Sequence, residues 1–305
     1  CVRSRPLRLA LLAGLLSSGG APPQDPAVQI EDLTPQFLRF YDSAASQHAD
    51  PQRRWDLWRR LYGFAAVPPT PYGDSLARRL LDSAWDRYPA ALSTIARGAA
   101  GLGIFPDSAF RRVAGLLGCG DTVKVRLTVF VGGFEGNAFA YGHQNGRYGI
   151  AVPVEAGDPA RSIIHELTHA LHRGGCATFP SGYGQSVAEL VVTEGLAMQV
   201  VRRALPGHDA DYYTAAAPGW LADARARRRA ILEGIRQHWT EHGPAAVQRF
   251  TFGAGTTGLH REGYYAGWEL VGAMLDRLGM SLHDVATTDP AQYPALLAKA
   301  MRVAE

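Results

Sequence analysis

The stretch "RSIIHELTHALHRGG", residues 161–175, constrains this chain more than any other. Ile163, Ile164, Leu167, Ala170 and Leu171 recur at spacings of three and four, the mark of a helix with one buried face. Asp158 and Pro159 supply an N-cap and a first-turn proline, and Gly174-Gly175 supplies the stop. On that helix His165 and His169 are four residues apart, so their side chains diverge by about 40° and lie one turn from each other. Two imidazoles so placed can close on one Zn²⁺ at about 2.0 to 2.1 Å. Glu166 projects about 60° from His169, beside the ion, where a carboxylate can take a proton from water. Chance would supply roughly 0.01 such H-E-x-x-H matches in a chain of this composition, which argues against a decorative polar face. His172 shares the face but lies one further turn away, about 5 Å, too far to ligate the same ion. It is expected beside the site or at the surface.

A zinc site open to substrate needs a third protein ligand. "SVAELVVTEGLAMQVVRR" predicts a helix over 186–205 and offers Glu189 and Glu194. Five residues apart, these point about 140° away from each other, so one of them at most can face the metal. Geometry alone does not choose between them.

Elsewhere the periodicity sorts the chain into three parts. From Thr34 to about Gly118 apolar residues recur at helical spacing, and Trp55, Trp58 and Tyr62 form one stripe expected to pack in the core. Period two then takes over: Val123, Val125, Leu127, Val129 and Val131 alternate with Lys124, Arg126 and Thr128, a half-buried strand. Gly/Asn turn signals and a second apolar run, Tyr148 to Val154, predict further strands. "GGFEGNAFAYG" could present an edge to an extended peptide, or equally form hairpin turns. Further helices are expected at about 220–241, 263–278 and 290–303. The result is an α+β fold: a helical part 34–118, a small mixed sheet with the metal-site helices over 119–205, and a helical part 206–305, together a single domain.

Before that domain, "CVRSRPLRLALLAGLLSSGGAPPQDP" has three arginines, an apolar run from Leu7 to Leu16 and a small-residue, Pro-rich break. That order fits a secretory leader over 1–21, with cleavage near Gly20 or Ala21 and a linker at 22–33. A run of about ten residues is too short to span a bilayer. The expectation is a secreted or periplasmic protein, in which Cys119 and Cys176 could pair. The net charge is +3, and removing Arg3, Arg5 and Arg8 leaves 3 − 3 = 0 for the rest. A neutral body gives no electrostatic case for nucleic acid, and "RARRR" at 225–229 reads as a solvated helix face.

Joined together, H-E-L-T-H and "TEGLA" at 193–197 resemble the gluzincin zinc peptidases, whose third ligand is a Glu on the helix after the H-E-x-x-H helix. "REGYYAGWELV" at 261–271 narrows this to a group of bacterial proteins known as predicted zinc-dependent proteases of unknown substrate. The resemblance covers about 120–290, with a departure at 206–260 that reads as an insertion. It implies a zincin-like fold, a peptide or protein substrate, and Zn²⁺ on His165, His169 and Glu194, with Glu189 set aside. It also fits Glu166 as general base. Separately, Tyr264 or Tyr265, with His260 also in reach on sequence order, could donate a hydrogen bond to developing charge, although either tyrosine could equally be buried packing. Two rivals stand beside it. One is a zinc-stabilised binding protein without catalysis. The other is amide hydrolysis of the peptide deformylase kind, with Cys119 as third ligand, which would leave "TEGLA" unexplained.

Overall fold

The computed structural model describes residues 26–67, 70–155, 158–177 and 184–304. The expected leader at 1–21, the start of the expected linker and residues 178–183 lie outside these residues. The rest of the linker is not a linker: Val28–Asp32 is a strand, β1. It is too short for alternation to reveal it, and it is held by pairing, with the Val125 amide donating to Ala27 O at 2.8 Å and the Leu33 amide to Val129 O at 2.9 Å.

Five helices follow: α1 (Thr34–Ser46), α2 (Pro51–Leu61), α3 (Pro71–Ala84), α4 (Tyr88–Arg97) and α5 (Phe105–Leu117). Each carries a proline in its first turn, where the missing N–H costs nothing. Trp55 and Trp58 stack with centroids 4.9 Å apart, as expected of a core stripe. Tyr62 goes further, since its hydroxyl donates to Val131 O and accepts from the Val131 amide, both at 2.8 Å. The helical part is thereby fastened to the end of a central strand.

That strand is β2 (Val125–Phe130), followed by β3 (Phe139–Gln144) and β4 (Arg147–Pro153). The sheet runs β1-β2-β4-β3, with β1, β2 and β4 parallel and β3 antiparallel to β4. The fold is α+β with one small mixed four-stranded sheet. Thr128 and Phe130 are buried along with the apolar set, so β2 is covered on both faces over its second half. The half-buried expectation fails there because parallel neighbours on both sides bring helices onto both faces.

The remaining helices are α6 (Pro159–Leu171), α7 (Val187–Ala204), α8 (Ala210–Thr214), α9 (Trp220–Ala226), α10 (Arg228–Arg236), α11 (Pro244–Thr251), α12 (Glu262–Asp276), α13 (Leu282–Thr287) and α14 (Tyr293–Ala304). The single helix expected over 220–241 is two, broken at Arg227. In the "RARRR" run Arg225, Arg227 and Arg229 are exposed, while Arg228 donates from Nε to Glu269 at 3.0 Å. Helix α7 is buried on almost every side, an all-round burial expected of a helix wrapped by others. No helix among the described residues is long and apolar enough to cross a membrane.

Candidate metal centre

Helix α6 begins as its sequence dictates. Asp158 Oδ1 accepts from the Ala160 and Arg161 amides at 2.9 and 3.2 Å, satisfying donors the helix cannot. Its apolar stripe packs inward, which leaves Arg161, His165 and His169 at i, i+4 and i+8 along one face. At the far end the chain continues into a wider turn, His172–Cys176, and Cys176 is joined to Cys119 by a disulfide. Gly175 is required there, because a Cβ would lie 2.4 Å from Gly120 Cα. A disulfide-bonded Cys119 has no thiolate to offer a metal, which removes the deformylase-like alternative.

The partner helix α7 starts with a capping box. Ser186 Oγ accepts from the Glu189 amide at 3.1 Å, and Glu189 Oε2 accepts from the Ser186 amide at 2.7 Å. Glu189 is therefore neither at the surface nor beside the metal site: it is buried and committed to the helix start. Glu194, 140° round the helix, faces α6 instead.

Among the described residues His165, His169 and Glu194 form a cluster able to hold a metal, with one ligand atom from each lying within 4.8 Å of the others. His165 Nε2 and His169 Nε2 are 3.1 Å apart, and Glu194 Oε2 is 3.2 Å from the first and 3.5 Å from the second. Three ligands at about 2.0 to 2.1 Å on a tetrahedral ion stand about 3.3 Å from each other, so the triangle fits zinc without rearrangement. Burial would push the Glu194 carboxyl up, but the charge of His169 and hydrogen bonds from His165 and His169 outweigh it and hold it well below the usual range. For His165 burial works downward, and is overcome by the Glu194 hydrogen bond and the charges of Glu166 and Glu194, so the net direction is up. His169 Nδ1 is buried with no hydrogen-bond partner among the described residues, so the ring is oriented by packing and by the contacts of its Nε2 with His165 and Glu194.

Glu166 is 7 % exposed and its carboxylate makes no hydrogen bond to the described residues. Burial raises its carboxyl, opposed by His165 and His169. It lines a cleft of about 480 Å³ together with His165, Arg161, Arg261 and Tyr264, with Glu135 on another wall. A buried, unengaged carboxylate facing a cleft beside a ligand triangle is placed to exchange a proton with whatever occupies that cleft.

The other expected donors part company. Tyr264 lines the cleft, with the Arg261 guanidinium 3.9 Å from its ring centre. Tyr265, one residue on, points 100° away into a second core with Trp220, Leu221 and Ile231, fully buried. His260 is exposed, and what it contributes is its carbonyl, which accepts from Trp220 Nε1 at 2.9 Å. Neither lines the cleft. His172 is not at the surface either: it is 1 % exposed, and burial with the charges of His169 and Arg173 lowers it to about 3.

Several functional placements escaped the pattern reading. Glu262 is fully buried, and its two carboxylate oxygens accept from the amides and hydroxyls of Thr256 and Thr257 at 2.6 to 2.9 Å. That anchors the loop ahead of α12 and so sets Arg261 and Tyr264. The span 206–260, expected as an insertion, supplies Tyr213, Thr214 and Phe252 to the cleft. Arg161 was open to detection as the i−4 neighbour of His165.

Two imidazoles and a carboxylate converging at 3.1 to 3.5 Å beside a cleft define a candidate three-ligand zinc centre. Residues 152–293, which carry all three, match the model of a family described as predicted Zn-dependent protease (DUF2268). That part of the chain is similar to a family of expected zinc proteases. No curated protein and no solved structure matches the chain.

Proposed function

We propose that this protein is a zinc-dependent peptidase that hydrolyses peptide bonds in the cleft beside α6. The observation that carries the reading is the tetrahedral-sized ligand triangle of His165, His169 and Glu194 with the unengaged Glu166 next to it. Zinc bound there supplies a Lewis acid that polarises the scissile carbonyl and acidifies the attacking water. Glu166 accepts the proton of that water on its carboxylate and returns it to the nitrogen of the leaving amine. Tyr264 donates its phenolic hydrogen to the carbonyl oxygen as negative charge gathers there. The edge of β3, which has no neighbour beyond it in the sheet among the described residues, offers main-chain groups to an extended peptide. The Cys119–Cys176 disulfide supports an oxidising compartment, in keeping with export of the protein.

Zinc analysis and hydrolysis of a peptide library by the wild type and Glu166→Gln test this reading. The expected result is about one zinc per chain in both proteins and cleavage by the wild type alone. Equal hydrolysis by both, or less than about 0.1 zinc per chain, refutes it.

A further inference from the structure

Two arginines share the cleft with the metal site. Arg161 lies one turn before His165 on the same face of α6, a rise of about 6 Å. Arg261 reaches the cleft from the residue preceding α12, held at φ 64°, a left-handed conformation unusual for a side chain of this size. Both are tethered to one short segment: Arg161 Nη1 donates to Tyr212 O at 3.1 Å and Arg261 Nη2 to Thr214 O at 3.0 Å. Tyr264 flanks one face of the Arg261 guanidinium at 3.9 Å, which stiffens it further.

Neither guanidinium has a carboxylate within ion-pairing distance among the described residues. Glu166 shares the cleft but pairs with neither guanidinium, and two other nearby acids are engaged elsewhere. Asp158 caps α6 and its Oδ2 accepts from Tyr212 Oη at 2.6 Å, while Glu135 Oε2 accepts from the Gly133 amide at 2.6 Å. Two fixed guanidinium groups, each with nitrogen donors to spare and no anion of the protein's own, are a built receptor for a planar oxyanion.

We infer that Arg161 and Arg261 bind a carboxylate of the peptide substrate within about two residues of the scissile bond. The distance follows from the 6 Å rise between Arg161 and His165, set against 3.3 to 3.6 Å per residue of extended chain. The carboxylate is either an Asp or Glu side chain or the free C-terminus, which present the same chemistry. This inference rests on the peptidase reading for its substrate, and on the two arginines for its specificity.

The test is a cleavage profile of the zinc-loaded protein on a proteome-derived peptide library, followed by matched synthetic peptides. Asp and Glu are compared with Asn and Gln near the cleaved bond, and free with amidated C-termini. The expected preference is about ten- to a hundredfold in kcat/KM for the acid over its neutral counterpart, in one arm or the other, which identifies the source. Arg161→Gln and, separately, Arg261→Gln lower that ratio about tenfold. Arg161→Lys, which keeps the charge, restores part of it, and Arg161→Glu turns the preference toward basic residues. Ratios within twofold of unity in both arms overturn the inference and leave the peptidase reading standing. If no peptide is cleaved at all, the peptidase reading falls. Labelled acidic and neutral peptides are then titrated into zinc-loaded Glu166→Gln protein, where tighter binding of the acidic peptide sustains the carboxylate site and equal binding overturns it.

Discussion

Gly195 on α7 and Gly267 on α12 meet backbone to backbone: a Cβ on Gly195 would stand 2.4 Å from Gly267 O, and one on Gly267 would stand 2.5 Å from Val191 O. The glycine of "TEGLA" and the last glycine of "GYYAG" are thus two halves of one helix crossing. Glu194 sits next to Gly195, so this crossing sets how far its carboxylate reaches toward α6. Gly195→Ala forces the helices apart against backbone atoms that cannot swing away. A loss of about 1 to 3 kcal/mol is expected in urea unfolding of the metal-free protein, and zinc affinity measured by chelator competition falls with it.

The disulfide acts at the other end of the same site. Cys119 and Cys176 are 57 residues apart, and Cys176 closes the turn that extends α6 past His169. Chain entropy alone assigns a closed loop of that length about 4 kcal/mol. Replacing both cysteines by serine is expected to lower the unfolding midpoint accordingly, and reductant should change the wild type but leave the double variant unaffected. An identical midpoint for the two proteins under oxidising conditions would count against the bond.

These contacts mark where the sequence was legible and where it was not. The convergence of His165, His169 and Glu194 was readable, because helical spacing converts directly into a shared face and "TEGLA" has a known counterpart. The strand β1 was not, because five residues held by pairing with β2 carry almost no periodic signal of their own. Nor was the division of labour between Tyr264 and Tyr265, since neighbours on a helix point 100° apart and nothing local says which direction is the cleft. His172 was misplaced for a related reason. Its spacing sets it apart from the His165, His169 and Glu194 cluster, but its burial near α13 is a property of the assembled fold.

His172 makes acid stability measurable. Its folded pKa is lowered to about 3 from 6.5, so between those values the unfolded chain binds a proton that the folded chain does not. Stability from this group therefore rises with pH, and it declines by about 1.4 kcal/mol for each unit below 6.5. Unfolding of the EDTA-treated wild type and His172→Phe between pH 4 and 7 isolates the effect. The variant is expected to show the flatter acid slope. Parallel slopes would show that His172 is protonated in the fold.

Tyr264 and Tyr265 provide the sharpest contrast, because the same one-atom change is expected to have opposite consequences at adjacent positions. Tyr264 lines the cleft, and removing its hydroxyl takes away the donor proposed for the developing charge. Tyr264→Phe should therefore lower kcat by about 10²- to 10³-fold with little change in zinc content. Tyr265 is fully buried against Trp220, and its hydroxyl has no hydrogen-bond partner among the described residues. A buried hydroxyl left unsatisfied costs about 1 to 3 kcal/mol, so Tyr265→Phe should leave kcat within about twofold and raise the unfolding midpoint. Steady-state rates and urea unfolding of both variants separate the two roles. Equal loss of rate in both would mean that the tyrosines act through the packing of α12, and that the donor to the carbonyl oxygen is another group on the cleft wall.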